Sequence, residues 1–193
     1  APTLENDVYG CFLAHARGAK TIAFGTHITP LPVETMRPYP SLDFALVGEP
    51  DLTIRDLLDH LEGKIDQRSP EIKTMLEKQD PEYKPSLNKD GSVNMLGIKG
   101  IAWRKGEEIM VNFPRPFVAD LDDMPIPMHE LLPLQSYRMP YIKGPFTFIV
   151  TSRGCPAGCT YCIKHVSYQY STRIRSPKLI MEELWVLKKL GLN

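Results

Sequence analysis

Short apolar runs alternate with helical patterns in the first third of the chain, and this alternation constrains the fold more than any other feature of the sequence. Apolar side chains at helical spacing predict helices over 5–18, near 32–37 and over 51–63. Between these helices, 20–27 and 42–50 are short apolar runs of the kind that form buried strands. Helices that separate buried strands are typical of a doubly wound parallel sheet, so the sequence predicts an α/β fold.

The helix over 51–63 has the clearest amphipathic pattern. Asp51 or Thr53 is expected to cap its N-terminus, because side chains of both types accept hydrogen bonds from unpaired backbone N–H groups. Its apolar stripe is expected to face the sheet and therefore to be buried. The stripe consists of Ile54, Leu57, Leu58 and Leu61.

Proline and polar residues dominate the middle of the chain, where regular structure is expected to be sparse. Residues 64–92 show no sustained hydrophobic period and are predicted to form a loop or insertion. Residues 96–113 have the pattern of a β-hairpin with its turn at 104–108. Prolines and acidic residues interrupt every apolar run of 114–134, which predicts an extended linker with one helical turn at 128–132.

A third apolar run, 145–154, is predicted to be a buried strand that leads directly into a cluster of cysteines. Residues 177–191 then have a strong helical pattern, with Ser176 as the N-cap residue and proline at the first helical position. One carboxylate of the pair Glu182 and Glu183 is expected on the exposed face of this helix, where it needs no catalytic explanation.

Two loops follow the first two predicted strands, and their residues are candidates for ligand binding. Ligands of doubly wound sheets bind beyond the carboxyl ends of the strands. One of these ends carries Gly25, His27 and Thr29, and the other carries Gly48 and Glu49. Turn or capping roles are the alternative for His27 and Thr29, and an interaction with the N-terminus of the next helix is the alternative for Glu49.

Three of the four cysteines, Cys155, Cys159 and Cys162, lie within eight residues at a C-x3-C-x2-C spacing. A structural zinc site needs a fourth ligand, such as His165, and an electron-transfer iron–sulfur cluster needs a fourth cysteine. A redox dithiol needs only Cys159 and Cys162. The remaining possibility is a 4Fe–4S cluster in which one iron has no protein ligand. Cys11 lies apart from this motif and is expected to be a small buried apolar residue.

The neighbours of the three cysteines favour the cluster with an open iron. The motif directly follows a predicted buried strand, which places it at the carboxyl end of a sheet, where active sites of barrels and open sheets lie. Gly154, Pro156 and Gly158 allow the loop to wrap tightly, with backbone N–H groups available to the cluster sulfurs. Tyr161 offers a flat aromatic face beside the open iron.

A strand followed by 155-CPAGCTYC-162 resembles the signature of the radical S-adenosylmethionine (SAM) enzymes. This resemblance implies that Cys155, Cys159 and Cys162 bind three irons of a 4Fe–4S cluster, while the fourth iron binds SAM. It also implies reductive cleavage of SAM to a 5′-deoxyadenosyl radical, which abstracts a hydrogen atom from the substrate. The implied partners are a small-molecule substrate and an electron donor such as flavodoxin or ferredoxin.

Segments upstream of the cysteines narrow this resemblance. They are similar to the cobalamin-binding-domain radical SAM enzymes, and to the anaerobic magnesium-protoporphyrin IX monomethyl ester cyclase group in particular. The similar segments are 22-IAFGTHITPLPVE-34, 46-LVGEPDLTIRDLLDHL-61, 98-IKGIAWRKGEEI-109 and 121-LDDMPIPMHELLPL-134. The resemblance implies that Gly25, His27, Thr29, Gly48 and Glu49 lie against cobalamin.

The resemblance also implies an organisation in three regions. Residues 1–66 are expected to be the C-terminal part of a Rossmann-like cobalamin-binding domain, and 67–143 a loop, a β-hairpin and a proline-rich linker. Residues 144–193 are expected to form the first strand–helix unit of a radical SAM partial (β/α) barrel. The chain is thus expected to be an internal fragment, inactive alone, of an enzyme that methylates, cyclises or rearranges an unactivated carbon. One departure from the family is GEPD at 48–51, where the family has GEGE.

Charge and hydropathy exclude several other function classes. Lysine plus arginine equals aspartate plus glutamate, at 23 each, so no basic excess indicates a nucleic-acid partner. No apolar run is long enough to cross a bilayer and no signal peptide pattern is present, so a cytoplasmic location is expected. Two alternatives stay open. One is a radical SAM enzyme without functional cobalamin, similar to the methylthiotransferases, and the other is a non-catalytic zinc or electron-transfer module.

Overall fold

The chain divides into two compact units in a computed structural model. The first unit comprises Ala1–Val118 with Ala157–Tyr170, and the second comprises Ala119–Pro156 with Ser171–Asn193. The structure describes residues 3–84, 88, 90, 94–141, 143–163 and 171–192.

The first unit contains a mixed four-stranded sheet in the order β1-β2-β3-β4. Its strands are β1 (Ile22–Ala23), β2 (Phe44–Leu46), β3 (Ile101–Lys105) and β4 (Glu108–Val111). The pair β1–β2 is parallel, whereas β2–β3 and β3–β4 are antiparallel. The predicted α/β class and hairpin are therefore confirmed. The two strands predicted within 5–63 pair in parallel, as expected. The sequence did not show that the hairpin pairs antiparallel with β2 and so makes the sheet mixed.

In the described part of the first unit, the helices beside this sheet are α1 (Leu4–His15), α2 (Pro32–Met36), α3 (Pro50–Leu61) and α4 (Pro70–Gln79). The first three confirm the predicted helices. The fourth lies where a loop or insertion was predicted. Its start carries a local signal, since the Ser69 hydroxyl accepts a hydrogen bond from the Ile72 amide and proline occupies the first helical position.

Side chains of β2 alternate between two apolar clusters, so both faces of the sheet are covered. Ala45 belongs to the first cluster, and Phe44 and Leu46 belong to the second. The first cluster consists of Val8, Ile28, Met36, Leu42, Ala45 and Ala102, with Cys11 packed against it. The second consists of Phe44, Leu46, Leu57, Ile98 and Ile101. Cys11 is half-buried in this position, in partial agreement with its expected apolar role.

The buried face of α3 differs from the predicted stripe. Leu58 and Leu61 are 41% and 40% exposed, whereas Asp56 is completely buried. The predicted caps are also wrong, because the helix begins at Pro50 with Glu49 as its N-cap residue. The buried residues of α3 are Leu52, Thr53, Asp56, Leu57, Asp59 and His60. The buried face of α3 thus includes charged side chains, which require compensating charges from elsewhere in the chain.

A buried ionic cluster supplies that compensation. Arg68 and Arg115 contact the two carboxylate oxygens of Asp56 at 2.7 and 2.5 Å, and the Tyr83 hydroxyl donates to the same carboxylate at 2.7 Å. Arg68 also donates to Asp59 at 2.6 Å. The cluster thereby joins α3 to three later segments of the first unit, which carry Arg68, Tyr83 and Arg115. A carboxylate buried this deeply is stable only when its charge is paired and its oxygens are hydrogen-bonded.

Electrostatics keeps Asp56 ionised. Burial alone would raise the pKa of its carboxyl group. A hydrogen bond from His60, the charge of Arg115 and hydrogen bonds from Arg68 and Tyr83 outweigh burial and hold that pKa well below its ordinary value. Burial and the nearby Asp56 charge raise the pKa of Tyr83 to about 12, so its hydroxyl remains a hydrogen-bond donor at neutral pH.

The second unit is built from short elements. Strand β5 (Ser152–Arg153) pairs antiparallel with β6 (Arg173–Ile174), and helix α5 (Pro177–Lys189) follows. The Ser176 hydroxyl accepts a hydrogen bond from the Leu179 amide, which confirms the predicted N-cap of α5. The preceding linker contains short 3₁₀ turns at Leu121–Asp123, His129–Leu131 and Leu134–Ser136. The predicted helical turn at 128–132 is thus confirmed.

The strand predicted over 145–154 is mostly absent. Only Ser152–Arg153 forms a strand, and Phe148 and Val150 are 73% and 53% exposed. Within the described part of the chain, β6 is the one strand that pairs with this stretch, so only the residues opposite it become a strand. The expected barrel unit therefore stays a prediction. Among the described residues, no helix combines the length and apolar character needed to cross a membrane.

Substituting Asp56 tests the importance of the buried cluster. Asp56→Asn is expected to lower the free energy of unfolding by about 3 kcal/mol, because Arg68 and Arg115 lose their shared counter-charge. Urea unfolding at neutral pH measures this loss. Asp66→Asn removes an exposed carboxylate close by and should change the free energy of unfolding by less than about 0.5 kcal/mol.

The acid dependence of the same variant gives a second readout. The pKa of Asp56 is lower in the folded chain than in the unfolded chain, so its ionisation stabilises the fold above about pH 4 and this contribution is lost as the pH falls further. The unmodified protein should therefore lose more stability than Asp56→Asn between neutral pH and about pH 3. The role assigned to Asp56 would be contradicted if the free energy of unfolding fell equally with pH in the unmodified protein and in Asp56→Asn. It would also be contradicted if Asp56→Asn and Asp66→Asn lost equal free energy of unfolding at neutral pH.

Candidate functional site

Thr29 joins the two loops that follow β1 and β2. Its hydroxyl donates to the Gly25 carbonyl at 3.0 Å and accepts from the Gly48 amide at 3.2 Å. The Thr29 amide also donates to the Gly25 carbonyl at 3.0 Å. The structure therefore brings together three residues that the sequence predicted to share one site, and the buried Thr29 side chain is the link between them.

The backbone at Gly25 and Gly48 has conformations that favour glycine. Their φ angles are +117° and +84°, which side chains other than glycine rarely adopt. A Cβ atom added at either position would meet no heavy atom within 4 Å. At both glycines the space that a side chain would occupy is therefore open.

His27 has a defined hydrogen-bond arrangement. The Thr35 hydroxyl donates to the Leu31 carbonyl at 2.6 Å, so it accepts at 3.2 Å from Nε2 of His27. This assignment places the proton of a neutral imidazole on Nε2 and leaves Nδ1 as an acceptor. Thr35 is buried, so the half-buried His27 ring is held from the protein side.

Glu49 is buried, at 6% exposure, and its carboxylate has a backbone partner. Oε2 accepts from the Val118 amide at 3.0 Å. The Glu49 side chain therefore links Val118 to the N-terminus of α3, next to Gly48. Its capping position agrees with the alternative stated for this residue, although the side chain bonds Val118 rather than an amide of the helix.

The three motif cysteines are half-buried thiols, and none forms a disulfide. The Cys162 amide donates to the Cys159 carbonyl at 3.1 Å, which closes a turn between the last two cysteines, and Tyr161 is 90% exposed. Three thiolates that are accessible to solvent are suitable ligands for iron. Among the described residues, no three His, Cys, Asp or Glu side chains are gathered into a metal site. His165, the possible fourth zinc ligand, lies outside the described residues.

The burial of Glu183 was not predicted from the sequence. Glu182 is exposed as expected, but Glu183 is 1% exposed and contacts both Arg175 and His129. From the sequence, Glu183 could lie on the exposed or on the buried face of α5. The positions of Arg175 and His129 along the chain follow no motif that would identify them as its partners. In the same unit, Asp122 accepts a hydrogen bond from the Ser176 amide at 2.8 Å.

Curated relatives match most of the chain. An uncharacterised methyltransferase of Pyrococcus horikoshii is 29% identical over 163 residues, which cover 84% of this chain and 29% of the relative. The hopanoid C-3 methylase of Methylococcus capsulatus is 31% identical over 77% of this chain, and the anaerobic magnesium-protoporphyrin IX monomethyl ester cyclase of a Synechocystis strain is 29% identical over 80%. The resemblance to the cobalamin-binding-domain radical SAM enzymes is confirmed. No family model matches the chain.

Solved structures of a radical SAM methyltransferase have a similar fold. TsrM from Kitasatospora setae matches 98% of this chain with TM-scores of 0.58 and 0.60, at 12% and 11% identity. One of those structures contains cobalamin and a [4Fe-4S] cluster, and the other contains tryptophan and a SAM analogue. This chain spans less than a third of the length of TsrM and of the curated relatives named above.

Removing the Thr29 hydroxyl tests the link between the strand-end loops. Thr29→Val keeps the branched shape but leaves the Gly48 amide without its acceptor. Hydrogen exchange at Gly48 should accelerate on the order of fivefold, as expected for a net contribution of about 1 kcal/mol. Thr26→Val changes an exposed threonine of the same turn and should leave that exchange rate unchanged. Equal exchange rates in both variants would contradict the link.

Proposed function

We propose that this chain is part of a cobalamin-dependent radical SAM enzyme. The observation that carries the proposal is the set of three thiols, Cys155, Cys159 and Cys162, at a C-x3-C-x2-C spacing directly after β5. Three thiolates leave one iron of a 4Fe–4S cluster without a protein ligand, and an open metal position is what a catalytic site requires. The methyltransferase, the methylase and the cyclase among the relatives support this interpretation.

The cysteine loop would hold the cluster, and the fourth iron would bind SAM. When bound, the reduced cluster supplies the electron that cleaves SAM to a 5′-deoxyadenosyl radical. The protein supplies the thiolate ligands and the backbone N–H groups of a glycine-containing loop. The exposed Tyr161 ring lies one residue before the last cysteine, so we assign it to the SAM side of the loop.

The strand-end loops of the first unit would contact cobalamin. Gly25 and Gly48 leave space for the corrin ring beside the backbone, and Thr29 holds the two loops in register. His27 offers Nδ1 as a hydrogen-bond acceptor while Thr35 holds its other nitrogen. Glu49 is assigned to the same surface through its backbone, because its carboxylate already accepts from Val118.

The reaction class follows from these cofactors and from the relatives. We assign hydrogen abstraction from an unactivated carbon of a small-molecule substrate, followed by methylation, cyclisation or rearrangement. The electron would come from a donor such as flavodoxin or ferredoxin, in the cytoplasm. Within this chain, the residues that act are the three cysteines and the strand-end loops, which bind and orient the cofactors.

Serine variants of the cysteines provide the first test. The anaerobically reconstituted, dithionite-reduced full-length protein should give a 4Fe–4S electron paramagnetic resonance signal that shifts when SAM is added. Cys155→Ser, Cys159→Ser and Cys162→Ser should each abolish the SAM-dependent shift and lower the iron content. Cys11→Ser alters the cysteine outside the motif and should retain both.

Three outcomes would overturn this assignment. A signal that does not respond to SAM would indicate an electron-transfer cluster, and zinc in place of iron would indicate a structural site. Equal iron loss in Cys11→Ser and in the motif variants would show that the effect comes from the fold rather than from ligation.

Cobalamin binding has its own matched pair of variants. Gly48→Ala adds a methyl group on the surface assigned to the corrin ring, and should lower cobalt retained per chain by at least about fivefold. Gly63→Ala introduces a side chain at another open position with positive φ, +66° compared with +84°, so both variants share the backbone strain. Equal cobalt in the two variants would exclude Gly48 from the site. No cobalt in the unmodified protein would favour a radical SAM enzyme without cobalamin.

A further inference from the structure

Glu183 is the centre of a buried charge cluster in the second unit. Its Oε1 lies 2.8 Å from Nε2 of His129, and its Oε2 accepts a hydrogen bond from Nη1 of Arg175. All three side chains are buried, with exposures of 1%, 3% and 8%. A carboxylate this deep requires both its charge and its hydrogen bonds to be compensated, so the three side chains form one interdependent group.

Helix α5 gives this group a rigid base. Ser176 caps the helix, and the Ser176 amide donates to Asp122 at 2.8 Å, which anchors the turn before the helix to the preceding linker. Glu183 lies in the second turn of α5, and Arg175 lies just before the helix. The guanidinium group is therefore held between a well-capped helix and the strand β6 that precedes it.

Arg175 also holds the backbone that leads to the cysteines. Its Nη1 donates to the Val150 carbonyl at 3.1 Å, and its amide donates to the Thr151 carbonyl at 2.9 Å. The ladder between β5 and β6 contains only two residue pairs, Ser152 with Ile174 and Arg153 with Arg173. A ladder this short is weak by itself, so these two bonds strengthen the attachment of the strand. Cys155 follows two residues after its end.

We propose that Glu183, Arg175 and His129 form a positioning cluster that fixes the strand from which the cysteine loop departs. His129 contacts the Glu183 carboxylate, Glu183 holds the Arg175 guanidinium, and Arg175 holds the Val150 carbonyl. The value of this arrangement for cluster binding rests on the proposed function. The three residues act through the backbone and touch neither iron nor SAM.

The reactivity of Cys155 tests the cluster without any bound cofactor. Glu183→Gln leaves Arg175 buried without its carboxylate and would loosen the whole unit, so the double variant Arg175→Met with Glu183→Met is preferable. It removes the bond to Val150 while filling the core and leaving no buried lone charge. In the full-length apo protein, alkylation of each cysteine by iodoacetamide is followed by mass spectrometry with fragment-ion resolution of the motif.

The expected result is a change confined to the cysteine loop. Alkylation of Cys155 relative to Cys11 should accelerate on the order of tenfold in the double variant, because the strand opens more often. Lys178→Met with Glu182→Met removes one positive and one negative charge from exposed positions of the same helix, and it should leave the ratio unchanged. An unchanged ratio in both double variants would overturn the proposal.

A second measurement separates this proposal from the proposed function. After reconstitution, the reduced cluster of the Arg175→Met, Glu183→Met protein should give an altered electron paramagnetic resonance spectrum, and the control double variant should match the unmodified protein. If the unmodified protein binds no 4Fe–4S cluster, the proposed function fails while the alkylation ratio still decides on the positioning cluster. A normal cluster together with an unchanged ratio would overturn the positioning cluster alone.

Discussion

The buried carboxylate of Asp56 is the interaction on which the first unit depends. An unpaired charge at this depth would cost several kcal/mol, so the segments that carry Arg68, Tyr83 and Arg115 must pack against α3 in one arrangement. Arg115 follows the hairpin, and its attachment directs the chain towards Val118, whose amide bonds Glu49. The ionic cluster thereby determines the surroundings of the loop at 48–49, one of the two strand-end loops assigned to cobalamin.

The second unit also contains a buried carboxylate whose charge is compensated by an arginine. Glu183 is a buried carboxylate on a helix, and Arg175 compensates its charge from the segment before that helix. In both units the carboxylate lies at a helix face where an amphipathic pattern suggests a solvated position. In both units the compensating arginine comes from a segment next to proposed cofactor-binding residues. Buried ion pairs add little net stability compared with apolar packing, so their benefit here is a single defined arrangement of the chain.

The two proposed cofactor sites have different physical requirements. A corrin ring would need an open, preorganised surface, and the hydrogen bonds of the Thr29 hydroxyl to Gly25 and Gly48 are suited to that proposed role. An iron–sulfur cluster supplies much of its own organisation through metal–thiolate bonds, and a loop of accessible thiols is suited to receive it. The similarity to a hopanoid C-3 methylase and to an anaerobic magnesium-protoporphyrin IX monomethyl ester cyclase agrees with this proposed combination of sites.

Features set by neighbouring residues could be read from the amino-acid sequence alone. The hairpin, the Ser176 cap of α5 and the C-x3-C-x2-C spacing depend on contacts within a few residues, and α4 had a comparable signal at Ser69 that was overlooked. The burial of Asp56 and Glu183 was decided only by tertiary structure. Their partners lie up to 59 and 54 residues away, and a carboxylate enters the core only where a distant group meets its charge. The length of a strand depends in the same way on a partner that local sequence does not specify.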